Sequence, residues 1–421
     1  MKTKAVRLHG KNDLRLDEYE VPAIKEDEIL ARVVSDSVCM SSYKAAIQGS
    51  AHKRVPEDID VNPVIVGHEF AGEIVEVGSK WTSKFKVGSK FTIQPNINYK
   101  GIGYAPGYSF PYFGGDAIYI VIPGIVMEKE FLLDYKGDAY FKASLAEPMS
   151  CIVAAFRAFY HTADGGRTHN MGIVEGGKMA ILAGAGPMGM GAIDYALHCD
   201  RKPGLLVVTD IDDTRLERAK QIYTEKEAAA NGVTLKYVNT RNLADPVEYL
   251  VSLTDGKGYD DAFVFAPVKP VVETGDRILG KDGCLNFFAG PTDPKFSAEF
   301  NFYNVHYAST HIVGTSGGDT NDMVESLELM GKGLIDPAAM VTHVGGLDSA
   351  AKTTLELPSI PGGKKLIYTS ISMELTAIDD FKEKGKTDPM FAKLAEITKC
   401  NNGLWSAEAE EYLLKNAKTL I

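Results

Sequence analysis

His68 and Glu69 stand side by side in VIVGHEFAGEIVEVG, Val64–Gly78, behind Gly67 and ahead of an alternating strand. Packing explains the strand, with Ile74, Val75 and Val77 apolar and Glu73 and Glu76 between them, but it does not explain the Gly-His-Glu step. Two other residues share the chemistry of that pair. Cys39 lies in SVCMSSYK, after the strand-like EILARVVS, and Glu147 lies in LAEPMSC, before the apolar run CIVAAFRAFY. Each has an ordinary reading: a surface hydrogen bond for His68 and Glu69, a small buried hydrophobe for Cys39, a first-turn acid beside Pro148 for Glu147. Taken together, sulfur, imidazole and carboxylate with one open position form the donor set of a catalytic rather than a structural zinc.

A second group of residues supports that reading. Gly184-Ala-Gly186-Pro187-Met188-Gly189 fits G-x-G-x-x-G, follows the strand KMAILA and opens the helix MGAIDYALHC. In that setting the glycines give a tight turn and let a dinucleotide pyrophosphate approach the backbone at a helix N-terminus. Asp210 ends the next strand, LLVVTD, about twenty residues on, where an acid accepts hydrogen bonds from ribose hydroxyls and repels a 2′-phosphate. NAD(H) is therefore expected over NADP(H), with Arg215 as the basic neighbour that would work against Asp210.

The elements that must position these residues fall into two kinds. From Lys2 to about Ala143 short strands are broken by Gly and Pro, as in SKFTIQP and DAIYIVIP, which reads as a β lobe. From Lys178 strands alternate with helices: MAILAGAG, LLVVTD, the charged run TRLERAKQIYTEKEAAA, then LKYVN, DDAFVFAP, CLNFFAG and HIVGTSGG. Such alternation indicates a parallel sheet covered on both faces. After DMVESLELMGKGLI, the segment VTHVGG…KKLIYTSI returns to β character. The expected fold class is α/β, a β-rich lobe in two pieces around a doubly wound parallel-sheet domain. The boundaries fall at 1–155, 156–318 and 319–372, with 373–421 as a C-terminal extension.

Composition sets limits on function. The 421 residues exceed one ordinary core, and 45% hydrophobic with 24% charged residues is a globular balance. A formal charge of -11 opposes nucleic acid and anionic membrane as partners, yet allows a small basic cleft for an anionic substrate. Five scattered cysteines without C-x-x-C give no disulfide framework and point to a reducing compartment. With no apolar segment in MKTKAVRLHGKND, the cytoplasm is the expected location. The uncharged stretch Met179–Ile193 is too short and glycine-rich for a membrane span.

At this point the chain resembles the zinc-dependent medium-chain dehydrogenase/reductase family. VCMSS, GHEFAGEIVEVG, GGDAIYIVIP, EPMSC, AGAGPMG and VTHVGG…GGKKLIY occur in family order over about residues 1–372. The resemblance implies a GroES-like catalytic domain and a Rossmann domain, a homodimer or homotetramer, and one catalytic zinc on Cys39, His68 and Glu147, with Glu69 as fourth ligand or close neighbour. Ser41 would set its hydroxyl beside the substrate oxygen, and a glutamate at position 147 marks the polyol branch. The zinc would polarise the substrate oxygen while the cofactor exchanges a hydride with its carbon.

Departures from the pattern matter too. Gln94–Asp116 contains no cysteine, so no structural zinc is expected; it holds Tyr99, Tyr104, Tyr108, Phe110, Tyr112 and Phe113 instead, for which local packing is the expected role. Lys44 stands where several relatives place a proton-relaying histidine. With His52, Lys53 and Arg54 in the extended segment before His68, and a long C-terminus like that of sorbose 1-phosphate reductases, Lys44 points to a phosphorylated substrate such as L-sorbose 1-phosphate or glucitol 6-phosphate. A dehydrogenase of free polyols or secondary alcohols is the alternative, and a nucleotide-binding protein without catalysis is a third reading.

Overall fold

The computed structural model describes residues 1–97 and 103–420, so Tyr99 lies outside the described residues. The chain divides into two units, one of residues 1–148, 319–332 and 341–421, the other of 149–318 and 333–340.

In the second unit the apolar runs become six parallel strands in the order Thr234–Asn239, Leu205–Asp210, Lys178–Leu182, Tyr259–Val264, Leu279–Phe287, His311–Gly314. Numbered along the chain from Lys178 this is 3-2-1-4-5-6, the doubly wound order whose reversal lies beside the first strand. KMAIL and LLVVTD are buried almost throughout, as strands covered on both faces must be. Ala180, Leu182, Val207, Val264 and Leu285 belong to their shared core. The charged run after Asp210 forms two helices, Asp213–Ile222 and Glu225–Ala230. The break falls at Thr224, whose hydroxyl caps the second helix by accepting from Glu227 N–H.

The first unit is built around the strand Ile29–Val38. On one side it pairs antiparallel with Phe70–Val77, which carries Lys90–Ile93 and then Leu132–Tyr135. On the other it pairs antiparallel with Lys364–Tyr368, which carries Val341–Gly346. Lys365 pairs with Val38 in this register, which places Lys364 beside Cys39 although the two are far apart in sequence.

The residues after 372 belong to this unit. Helices Pro389–Cys400 and Ala407–Asn416 flank Trp405, which is fully buried and donates its indole N–H to the Tyr368 hydroxyl at 2.7 Å. Glu410 accepts from the backbone N–H groups of Tyr140 and Phe141, at 2.6 and 2.8 Å, and from the Tyr368 hydroxyl at 2.9 Å. Those amides open the helix Tyr140–Ser144, where orphan donors favour a carboxylate. Burial nonetheless pushes the Glu410 carboxyl up to about 7. No helix among the described residues is long and apolar enough to cross a membrane.

Candidate metal and cofactor sites

Cys39 follows the central strand and is the N-cap of the helix Met40–Gln48, with extended backbone angles. The Gly67 turn brings the other donors to it. Gly67 has φ +89°, and a Cβ there would meet Asp116 N and Asp36 Oδ2 at 2.7 Å, so only glycine lets the chain pass. The result is a cluster in which Cys39 Sγ, a His68 ring nitrogen and a Glu69 oxygen lie within 4.8 Å of one another. Glu147, the second residue of the helix Ala146–Ala158, is not in that 4.8 Å group. Its charge reaches Cys39, Lys364 and Tyr108.

His68 is oriented by two hydroxyls. Its Nδ1 lies 3.2 Å from Tyr108 Oη and 3.3 Å from Ser42 Oγ, which leaves Nε2 as the nitrogen for a metal and fixes the ring by the partner of its other nitrogen. Burial holds the imidazole neutral, with its pKa lowered to about 4. Burial and then the Glu69 charge push the Cys39 thiol up to about 12. A neutral imidazole is ready to ligate, whereas the thiol needs a cation beside it to ionise, so the donor chemistry fits zinc and metal uptake would release a proton. The Ser41 hydroxyl is 3.1 Å from Cys39 Sγ, at the edge of the cluster.

Glu69 is not an unengaged ligand. Both of its oxygens accept from Lys364 Nζ at 2.6 Å, and the two side chains are 1% and 7% exposed. Burial works against both charges; Lys364 and then His68 bring the Glu69 pKa below its ordinary value, and Glu69 and then Cys39 bring that of Lys364 above its own. Beneath the Gly67 turn lie two further buried carboxyls, Asp36 and Asp116. Burial and then the Asp116 charge raise Asp36 well above the carboxylate range, and burial raises Asp116 to about 7. Two carboxyls so close in a buried site disfavour both being charged at once.

A basic group adjoins this cluster. The Arg54 guanidinium sits 5.3 Å above the Tyr108 ring, and His52 stacks on the same ring at 5.6 Å and 12°. Lys44 lies half-buried on the helix after Cys39, and burial followed by Arg54, Lys53 and Lys44 keeps the His52 pKa below its usual value.

Residue spacing alone did not reveal Ser42, Tyr108 or Lys364. Tyr108 is fully buried against His68, a role in the site rather than local packing alone. The one advance signal was KKLIY, since a buried strand with two lysines must find partners for them.

In the second unit Gly186 is the N-cap and Pro187 opens the helix Pro187–His198, with Met188 and Gly189 in its first turn. A Cβ on Gly189 would meet Gly184 O at 2.0 Å, and one on Gly184 would meet Ile181 Cγ2 at 2.4 Å, whereas one on Gly186 would meet nothing within 4 Å. Two glycines thus serve packing, and the third leaves the open approach that a pyrophosphate requires. Asp210 is buried; its Oδ2 accepts from Ala185 N–H, and its Oδ1 from the N–H groups of Ile211 and Asp212. The Arg215 side chain is exposed and its N–H donates to Asp212. Arg241, not foreseen, donates to Ile211 O from the loop after the neighbouring strand.

Family comparison decides between the readings. The model described as "Alcohol dehydrogenase GroES-like domain" matches residues 25–127, and that described as "Zinc-binding dehydrogenase" matches residues 187–332. The chain is 54% identical over 413 residues to "Mannitol-1-phosphate 5-dehydrogenase" of Aliivibrio fischeri, covering 98% of this chain and 97% of that one. This chain belongs to the zinc-dependent medium-chain dehydrogenases. It is also 47% identical over 418 residues to "L-sorbose 1-phosphate reductase" of Klebsiella pneumoniae, covering 99% and 98% of the two chains. Among solved structures, 2R,3R-butanediol dehydrogenase of Bacillus subtilis shares the fold, with a TM-score of 0.70 at 20% identity over 87% of this chain and 99% of that one. As a member of this family the protein is an oxidoreductase that works with zinc and a nicotinamide nucleotide on a small molecule.

Proposed function

We propose that this dehydrogenase moves a hydride between NAD(H) and a phosphorylated polyol or ketose at a single zinc. The observation that carries this reading is the donor cluster of Cys39, His68 and Glu69 in a chain similar over nearly its whole length to two proteins named for sugar phosphates. Cys39, His68 and Glu147 would hold the zinc. Glu69 or water would complete the set, with Glu69 leaving Lys364 when it ligates. Once bound, zinc supplies Lewis-acid polarisation of the substrate oxygen and the nicotinamide carries the hydride.

The chain's own residues do the rest. Ser41 Oγ, beside Cys39, receives the alcohol proton as it gives its own to solvent. Tyr108 and Ser42 hold the His68 ring in place. Lys364 keeps Glu69 ionised and near the donors, and Lys44 adds a positive charge beside them. Gly184, Gly186 and Gly189 shape the pyrophosphate seat, and Asp210 favours the unphosphorylated ribose of NAD(H). A cytoplasmic homodimer or homotetramer is part of the proposal; the side chains of Phe302, Tyr303 and Tyr307, 75, 68 and 67% exposed, supply apolar surface for self-association, and a monomer in light scattering would remove that part.

The test joins metal and substrate. Elemental analysis should give about one zinc per chain, as a site with these ligands requires, and little in Cys39→Ala. NADH oxidation should be far faster with L-sorbose 1-phosphate and other ketose phosphates than with the free sugars. Two zinc equivalents, or equal rates on free and phosphorylated sugars, would refute the corresponding half.

A further inference from the structure

We propose that Arg54, mounted on the Tyr108 ring and supported by Lys44 and His52, is the anchor for the substrate's phosphate monoester. The inference rests on the phosphorylated-substrate reading above and assigns its specificity to named side chains.

Three observations carry it. The first is the partnership of Arg54. In a chain with 56 acidic and 45 basic residues, the Arg54 guanidinium makes no ion pair among the described residues; its contact is the face of Tyr108 at 5.3 Å. A guanidinium lying over an aromatic ring keeps its N–H groups directed outward in its own plane, the fork that grips two phosphate oxygens at once.

The second is rigidity. The Arg54 carbonyl accepts from Ser109 Oγ at 2.7 Å, its N–H donates to His52 Nδ1 at 3.3 Å, and Val55 beside it is buried. Holding the anchor in place before the substrate arrives lowers the ordering cost of binding.

The third is place. The Tyr108 ring under Arg54 is 5.1 Å, centroid to centroid, from His68, and its hydroxyl reaches His68 Nδ1. The cation therefore stands one aromatic ring away from a metal donor, a separation within reach of one short polyol chain gripping both. Lys44 and Lys53 add to the same field; burial first, and then Arg54, Lys53 and Lys44, disfavour a charged His52. A phosphate dianion would relieve that crowding of cations.

The side of Tyr108 facing His68 thus serves the metal, and its face serves the anchor. Removing Arg54 should separate recognition of the phosphate from recognition of the alcohol.

The experiment compares wild type with Arg54→Gln, Arg54→Lys and Lys44→Ala, using NADH oxidation with L-sorbose 1-phosphate and with L-sorbose, and inorganic phosphate as a competing probe. Zinc content and thermal midpoint of each variant establish that it is folded. In Arg54→Gln the ratio of kcat/KM for the phosphate ester to that for the free ketose should fall about ten- to a hundredfold, the loss of one charge-assisted contact. The loss should lie mainly in KM, and competition by inorganic phosphate should weaken in parallel. Arg54→Lys should recover part of the ratio, and Lys44→Ala should lower it less. If wild type prefers the phosphate ester and folded Arg54→Gln keeps both that preference and the inhibition by phosphate, the anchor is wrong and the substrate reading stands. If wild type shows no preference for the ester, both fall.

Discussion

The glycine loop of the nucleotide unit and the donor pocket of the catalytic unit are built on opposite plans. The loop works through what it lacks: side chains are absent at Gly184, Gly186 and Gly189, and its ties are short-range, such as Gly184 N–H to Thr209 O at 2.7 Å and Ala185 N–H to Asp210. The pocket works through groups drawn from positions 39, 68, 69, 108 and 364, most of them buried and most of them ionisable. A backbone device of the first kind fails by collision; an electrostatic balance of the second kind fails when one charge loses its counterpart. The difference predicts that the two regions respond to substitution in distinguishable ways.

The largest effect is expected at Lys364. Lys364→Met leaves Glu69 buried without its counter-charge, beside the Asp36 and Asp116 carboxyls. Breaking a buried pair from one side costs about 3–5 kcal/mol. Denaturant unfolding should show that loss, and adding Glu69→Gln should return a substantial part of it, a coupling that a double-mutant cycle isolates. A loss under about 1 kcal/mol, the scale of an exposed ion pair, would show that the pocket does not depend on this balance.

Glu410 extends the same plan to the C-terminal extension, with an effect second in size. Its pKa is raised from the ordinary carboxyl value to about 7 by burial. The folded state therefore holds a proton more tightly than the unfolded one, and the stability this gives is complete below about pH 4.5 and lost as pH rises through about 7. Wild type should lose about 2–4 kcal/mol relative to Glu410→Gln across that window. Parallel pH curves for the two proteins would show that the carboxyl is not held as the geometry indicates.

How much of each region could be read in advance follows from the same contrast. The strand runs KMAILA and LLVVTD, the G-x-G-x-x-G turn and the acid after it depend on neighbours within about thirty positions, and the second unit forms as that pattern implies. Cys39, His68 and Glu69 were identifiable by residue type. What holds them was not, because Lys364 reaches Glu69 across 295 positions and Tyr108 reaches His68 across 40. The first contact depends on strand register, and no local pattern encodes that Lys365 faces Val38; the second joins two loop residues. Likewise Trp405 and Glu410 look like parts of an ordinary amphipathic tail until Tyr368 and the Tyr140 helix are seen beneath them.

The glycine loop offers a sharper internal test, one size smaller. Gly189→Ala must push its new methyl against Gly184 O, and overpacking of this kind costs about 1–3 kcal/mol. Gly186→Ala meets no atom of the protein within 4 Å, so its thermal midpoint should match wild type while the Kd for NADH rises. Equal effects of the two variants on stability would show that the three glycines do not divide the work as the spacing indicates.

The effect that tests the cofactor assignment, comparable in size and read in kinetics rather than stability, lies at Asp210. Its carboxylate already accepts three backbone N–H groups, tying the glycine loop to the end of its strand. Two roles are therefore combined in one side chain, and they separate by cofactor. If Asp210 only braces the loop, Asp210→Ala weakens NADH and NADPH alike. If its charge also selects the ribose, the substitution costs NADH more, because NADPH loses a repulsion along with the brace. Removing one charge-assisted contact is worth about 1.5–3 kcal/mol, so the ratio of kcat/KM for NADH to that for NADPH should fall at least about tenfold. Arg241, which donates to Ile211 O next to Asp210, is a cation beside that position, and Arg241→Ala in the Asp210→Ala background should lower the NADPH activity that remains. An unchanged ratio in Asp210→Ala would reduce the acid to a backbone brace and leave cofactor choice to other residues.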